Sequence, residues 1–149
     1  MRRPHGFEQF IEKQGFHAIY LVTSDHSAFK VGIAEDPISR LGQLQTANFL
    51  PLRLHRFWWL PGPAISRRIE SAFKEHFAAW NIRGEWFDFP MAEAEAFIEG
   101  SIRTLGTWGI TDAEMIELMD HFARRKYSLP PEAPSPLRGM PSEGARGGA

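Results

Sequence analysis

The chain has 149 residues, 43% hydrophobic and 23% charged, which is room for one globular domain with an appendage. A formal charge of −1 excludes a globally basic nucleic-acid binder, so any polyanion face must be local. The absence of cysteine excludes disulfide scaffolds, Cys-based zinc sites and thiol nucleophiles. The six His show no HxxxH or HExxH spacing. No apolar run approaches the ~20 residues of a membrane span, and MRRPHGFEQFIEKQ lacks the apolar segment of a secretory signal. The expectation is a soluble cytoplasmic protein.

In chain order, residues 1–15 form an N-terminal helical segment ahead of a core at 16–90. Residues 17–23 (HAIYLVT) and 28–34 (AFKVGIA) are β-rich runs around the polar Ser24-Asp25-His26-Ser27, which predicts a hairpin. Asp36-Pro37 is a cap with proline at the first helical position and opens the helix ISRLGQLQ. After Pro51, LRLHRFWWL predicts a third strand, although Arg56-Phe57-Trp58-Trp59 breaks its alternation; the Trp pair is expected in the core. Following Pro61-Gly62-Pro63, AISRRIESAFKEHFAAW sets Ile65, Ile69, Phe73 and Phe77 four apart on one helical face. EWFDF (85–89) closes the core as a short strand. The order β-β-α-β-α-β predicts an α+β fold, a small antiparallel sheet flanked by helices.

Residues 91–127 are a helical extension, with one helix over 91–107 and another over 112–126, the second capped by Thr111 and Glu114. Residues 91–126 either cap the sheet or serve as a homodimer surface. Residues 128–149, with five Pro and four Gly in 22 residues, read as a disordered tail.

Alternation puts Ile19, Leu21, Phe29, Val31 and Ile33 on the core face of the hairpin. The other face then carries Ala18, Tyr20 and Val22 beside Ala28, Lys30 and Gly32. A turn centred on Asp25 sets Tyr20 directly opposite Lys30. A cation there lowers the phenol pKa from ~10 and equips it as a general base toward water. The ordinary alternative is an amphipathic Tyr and a solvated Lys. Arg40 lies in the first turn of its helix, where a cation opposes the helix dipole and a bound phosphate would resolve the conflict; the ordinary alternative is a surface arginine. Glu70 falls at the boundary of the apolar stripe, placed to ligate one Mg²⁺ or simply to pair with Lys74. His76 projects toward the middle of that stripe, as a packed core residue or one at the edge of a site. Residues 37–86 hold seven Lys/Arg against three Glu, with Arg53, His55, Arg56, Arg67 and Arg68 forming much of the footprint for a polyanion.

In Ala18-Ile19-Tyr20, Lys30-Val31-Gly32, Arg40 and Glu70, together with the wording KVGIAEDPISRLGQLQTAN, RRIESAFKEHF and RGEWF, the chain resembles the GIY-YIG nuclease superfamily, in its short single-domain bacterial and phage branch. The resemblance spans residues 17–90; it departs in Ala18 for Gly and Lys30 for Tyr, and Asn81 stands nearest to a further asparagine of the pattern. It implies a metal-dependent endonuclease acting on DNA phosphodiesters with one Mg²⁺ (or Mn²⁺). Tyr20 would be the general base tuned by Lys30, Arg40 the phosphate stabiliser and Glu70 the metal ligand. Gly32, Arg53, Arg56, Arg67 and His76 would line the substrate. The alternative is a catalytically silent nucleic-acid-binding or protein-interaction module on the same fold.

Overall fold

The computed structural model describes residues 2–24 and 28–126; the Asp25 turn and the 128–149 tail lie outside them. Five strands, β1 (His17–Ser24), β2 (Phe29–Ala34), β3 (Leu52–Leu60), β4 (Asn81–Arg83) and β5 (Trp86–Phe87), form one antiparallel sheet in the order β3-β1-β2-β5-β4. Five helices accompany it: α1 (Phe7–Gln14), α2 (Pro37–Thr46), α3 (Pro63–His76), α4 (Met91–Thr104) and α5 (Asp112–Lys126). The α+β class read from the sequence is the class observed.

Period-two alternation divides the interior into two sides. Ile19, Leu21, Phe29 and Val31 face Ile69, Phe73 and Phe77 of the α3 region and Ala94, Ile98 and Ile102 of α4. Here Phe77 stacks on Phe89 at 4.1 Å and Phe29 meets Phe89 edge-on at 4.9 Å. Fully burying one such ring contributes about 1.5–3 kcal/mol. The opposite face is covered as well: Ala18 and Trp59 pack with Phe7 and Ile11 of α1 and Met115 and Leu118 of α5. Tyr20, Val22 and Leu52 pack beneath Leu41 and Leu44 of α2. Ala94, Ile98 and Ile102 of α4 and Met115 and Leu118 of α5 thus cap the sheet, while Phe122 of α5 stays exposed.

Local chemistry explains the boundaries. Asp36 accepts the Ile38 N–H at 3.1 Å and starts α2. Thr111 and Glu114 cap α5 reciprocally, at 3.2 and 3.0 Å. Gly106, at φ 64°, ends α4 short of the predicted 107. The helix predicted through Trp80 stops at His76, and a 3-10 turn, Ala78–Trp80, follows. The strand predicted at 85–89 shrinks to β5, and it pairs with Asn81–Arg83, a strand too short and too exposed to show periodicity.

β3 loses its alternation to a bulge. Leu21 faces Arg56 but Val22 faces Leu54, so His55 is the extra residue. Both His55 and Arg56 then reach Glu95 on α4, at 3.0 and 2.7 Å. Trp58 and Trp59 are buried on opposite faces, as core residues.

Ahead of α1, Arg3 forks between two carboxylates. Its Nε donates to Asp112 at 2.9 Å and its Nη1 to the capping Asp36 at 3.3 Å, while its guanidinium lies 4.7 Å over Phe7.

Candidate functional site

The hairpin keeps the expected faces but not the expected register. Tyr20 pairs with Gly32, and Lys30 with Val22, two positions from the arrangement centred on Asp25. A shift of two preserves the side of each side chain, so Tyr20, Lys30 and Gly32 still share a face. Gly32 is required by contact: a Cβ there would fall into the end of the Tyr20 ring, with Cε1 at 2.9 Å. Tyr20 and Lys30 are 2% and 7% exposed, so this face is no open, solvated surface.

Burial also sets the direction in which each group's pKa moves. It pushes the Tyr20 phenol above its ordinary value; the adjacent Arg40 guanidinium pulls the other way and Glu70 adds to the rise. The expected lowering by Lys30 is therefore overturned. Desolvation outweighs the nearby charges, and the cation that faces the phenol is Arg40. Burial likewise pushes the Lys30 ammonium down, helped by the charges of Lys74 and Arg40 and opposed by Glu70.

Two residues that sequence reasoning did not place in the site complete it. Glu85, in the turn between β4 and β5, forms ion pairs with both Lys30 and Lys74, the latter at 2.9 Å. Lys74 also stands 3.6 Å from Glu70, one helical turn back. The Glu70–Lys74 pairing was legible as an i,i+4 spacing; Glu85 gave no sequence signal, because only the turn geometry brings it to Lys30. Arg40 is exposed and donates to Gln43 at 3.0 Å.

Three cations thus surround two carboxylates, a balance suited to an anion. Among the described residues no group of three or more His, Asp or Glu could cage a metal ion. Glu70 fits Mg²⁺ only in the manner of sites that take one or two carboxylates and complete the shell with water and substrate phosphate. Glu85 is engaged by Lys30 and Lys74.

The remaining predicted substrate residues are dispersed. Arg56 is engaged by Glu95 and Glu99 on α4 and lies 4.5 Å over Trp58. His76 is not within the stripe; it is exposed, its ring stacked on Phe97 at 4.8 Å. Arg67 sits near His17, whose imidazole burial pushes down. Arg53 is exposed on β3 opposite Thr23. Asn81 braces the β4–β5 turn through the carbonyls of Gly84 and Trp86, at 2.7 and 3.1 Å. Two surface hollows, about 140 Å³ beside Arg3 and about 430 Å³ between α3 and α4, include neither Tyr20 nor Lys30.

The family model of the T5orf172 domain matches residues 15–101. The chain belongs to the T5orf172 domain family. This corrects the expected GIY-YIG membership: the matching model is that of a different family, and no GIY-YIG model matches. Two tripeptides, one Arg and one Glu report a strand pair with a small-residue face beside two helices, a local arrangement too brief to fix a family. The T5orf172 match runs from just before β1 into α4 and contains Tyr20, Lys30, Gly32, Arg40, Glu70, Lys74 and Glu85. No curated protein and no solved structure matches the chain. No helix among the described residues is long and apolar enough to cross a membrane.

Proposed function

We propose that this T5orf172-domain protein is a metal-dependent endonuclease that hydrolyses DNA phosphodiester bonds at the Tyr20–Glu70 site. The observation that carries the reading is a phenol and an ammonium buried together beside the exposed Arg40 and the half-buried Glu70. Burying such groups costs stability that apolar side chains would not, so their presence is better explained by chemistry than by packing.

In this reading Arg40 and Lys74 receive the scissile phosphate, and Arg40 stabilises charge that grows on its oxygens. Tyr20, as phenolate, accepts the proton of the attacking water as the new P–O bond forms and the bond to the leaving 3′ oxygen breaks. Arg40, rather than Lys30, is the cation that favours this phenolate. Mg²⁺ or Mn²⁺ held by Glu70 would supply charge neutralisation at the phosphate and leaving oxygen. Because the phenol pKa is raised, the phenolate is scarce near neutrality and the rate climbs with pH into the alkaline range.

A second reading is a module that binds nucleic acid without cutting it. The raised Tyr20 pKa and the occupation of Lys30 and Lys74 by Glu85 favour it. Supercoiled plasmid incubated with Mg²⁺ or Mn²⁺ separates the two. Nicking by the wild type, lost in Glu70→Ala and in Tyr20→Phe, supports the enzyme. Binding without nicking supports the module, and unimpaired cleavage by either variant refutes the assigned roles.

A further inference from the structure

Phe49 is 96% exposed, whereas the other exposed large apolar residues range from 41 to 58%. It stands in the connection between α2 and β3, and that connection is held in shape. The Gln45 side chain donates to the carbonyls of Asn48 and Leu50, both at 2.9 Å, and accepts the Leu52 N–H at 2.7 Å. Three hydrogen bonds from one side chain span the segment on both sides of Phe49. The aromatic ring is therefore presented to solvent by an ordered loop.

Its neighbours in the chain select the partner. From Pro37 to Ile69 there is neither Asp nor Glu, and of the five arginines Arg56 is engaged by Glu95 and Glu99 while Arg67 and Arg68 lie on α3, which leaves Arg40 and Arg53 to either side of Phe49. Arg40 and Arg53, the nearest of these on either side of Phe49 in the chain, are exposed, and among the described residues neither enters a salt bridge. Arg40 and Thr46, the last residue of α2, are separated by about 9 Å of helix axis. A strand whose phosphate reaches Arg40 can thus extend along α2 to Phe49.

We infer that Phe49 is a stacking platform for a nucleobase in a single-stranded stretch of nucleic acid, with Arg40 and Arg53 holding the flanking phosphates. The inference rests on the nucleic-acid reading of the site. It requires an unpaired base, because only there is a π-face free to meet the ring, and stacking of this kind tolerates any base.

The test compares a labelled single-stranded oligonucleotide with one of equal length whose sugars carry no bases, by fluorescence anisotropy in EDTA so that nothing is cut. Phe49→Ala is expected to weaken binding of the normal strand about tenfold. Phe49→Trp retains the affinity, and the base-free strand binds wild type and Phe49→Ala equally. Equal affinity of wild type and Phe49→Ala for the normal strand overturns the inference, as does an equal loss on the base-free strand. If the wild type binds neither strand the inference is overturned; binding of duplex DNA under the same conditions would leave the nucleic-acid reading standing, and no binding to duplex either would remove it as well. Thermal melting of Phe49→Ala, expected to match the wild type because the ring is almost wholly in solvent, shows that the loop change is not a folding defect.

Discussion

Gly32→Ala is the sharpest probe of the site, because one added carbon must displace the Tyr20 phenol. The new Cβ would overlap the end of the ring, and even Cε1 stands only 2.9 Å away, against an ordinary carbon separation of about 3.5–4.0 Å. The ring must move by about an ångström, yet it is 2% exposed and packed among Leu41, Leu44, Phe57 and Trp86. Overpacking of this kind costs about 1–3 kcal/mol, which for a chain of this size lowers Tm by about 4–10 °C. The same displacement takes the hydroxyl toward water, so the phenol pKa falls back toward ~10. Urea unfolding gives the stability change. Ultraviolet difference titration in a Tyr127→Phe background, which removes the only other tyrosine, gives the pKa. The decisive comparison is a double-mutant cycle: with Tyr20→Leu there is no ring end to strike, so Gly32→Ala should become nearly neutral. An undiminished penalty in that background, or a phenol that still titrates above its ordinary value in Gly32→Ala, refutes the argument.

Glu85→Gln frees Lys30 and Lys74 from their shared carboxylate, and affinity for inorganic phosphate, read by calorimetry, should rise about tenfold for one removed competitor charge; unchanged affinity would mean that phosphate does not bind there. Glu95 is held below its ordinary value of 4.5, by His55 first and Arg56 after it, with burial opposing. A depressed folded-state pKa gives stability that is present above 4.5 and lost as pH falls through the folded value, so Glu95→Gln should flatten the acid limb of the stability profile and leave the alkaline limb alone. Thr111→Ala removes one half of the α5 capping box and should cost about 1 kcal/mol in urea unfolding. Thr111→Ser, which keeps the hydroxyl, should cost much less.

The core was legible because Ile19, Leu21, Phe29 and Val31 alternate and Ile69, Phe73 and Phe77 repeat at helical spacing, patterns dictated by geometry alone. Asp36 and Thr111 were legible for the same reason, since a cap is chemistry over three or four residues. The hairpin register was not, because it depends on the conformation of a short polar turn rather than on either strand. Nor was the bulge at His55, which shows only as broken alternation. The candidate site was half legible: the proximity of Tyr20, Lys30, Arg40 and Glu70 could be marked, but the direction of the Tyr20 and Lys30 pKa shifts could not. That property depends on α2 lying over the sheet and on a turn that delivers Glu85, both of them long-range facts.

The Arg3 fork has a bearing on where a working fragment can begin. The T5orf172 match opens at residue 15, and a chain cut there would lose Arg3, Phe7 and Ile11 together. Trp59, 1% exposed in the whole chain, would lose the ring of Phe7 against its edge, and Asp36 and Asp112 would lose the guanidinium that bridges them. Asp36 caps the helix whose fourth residue is Arg40, so the lost contacts border the helix that carries Arg40. The contacts that enclose Trp59 and tie Asp36 to Asp112 therefore begin twelve residues ahead of the family boundary, at Arg3.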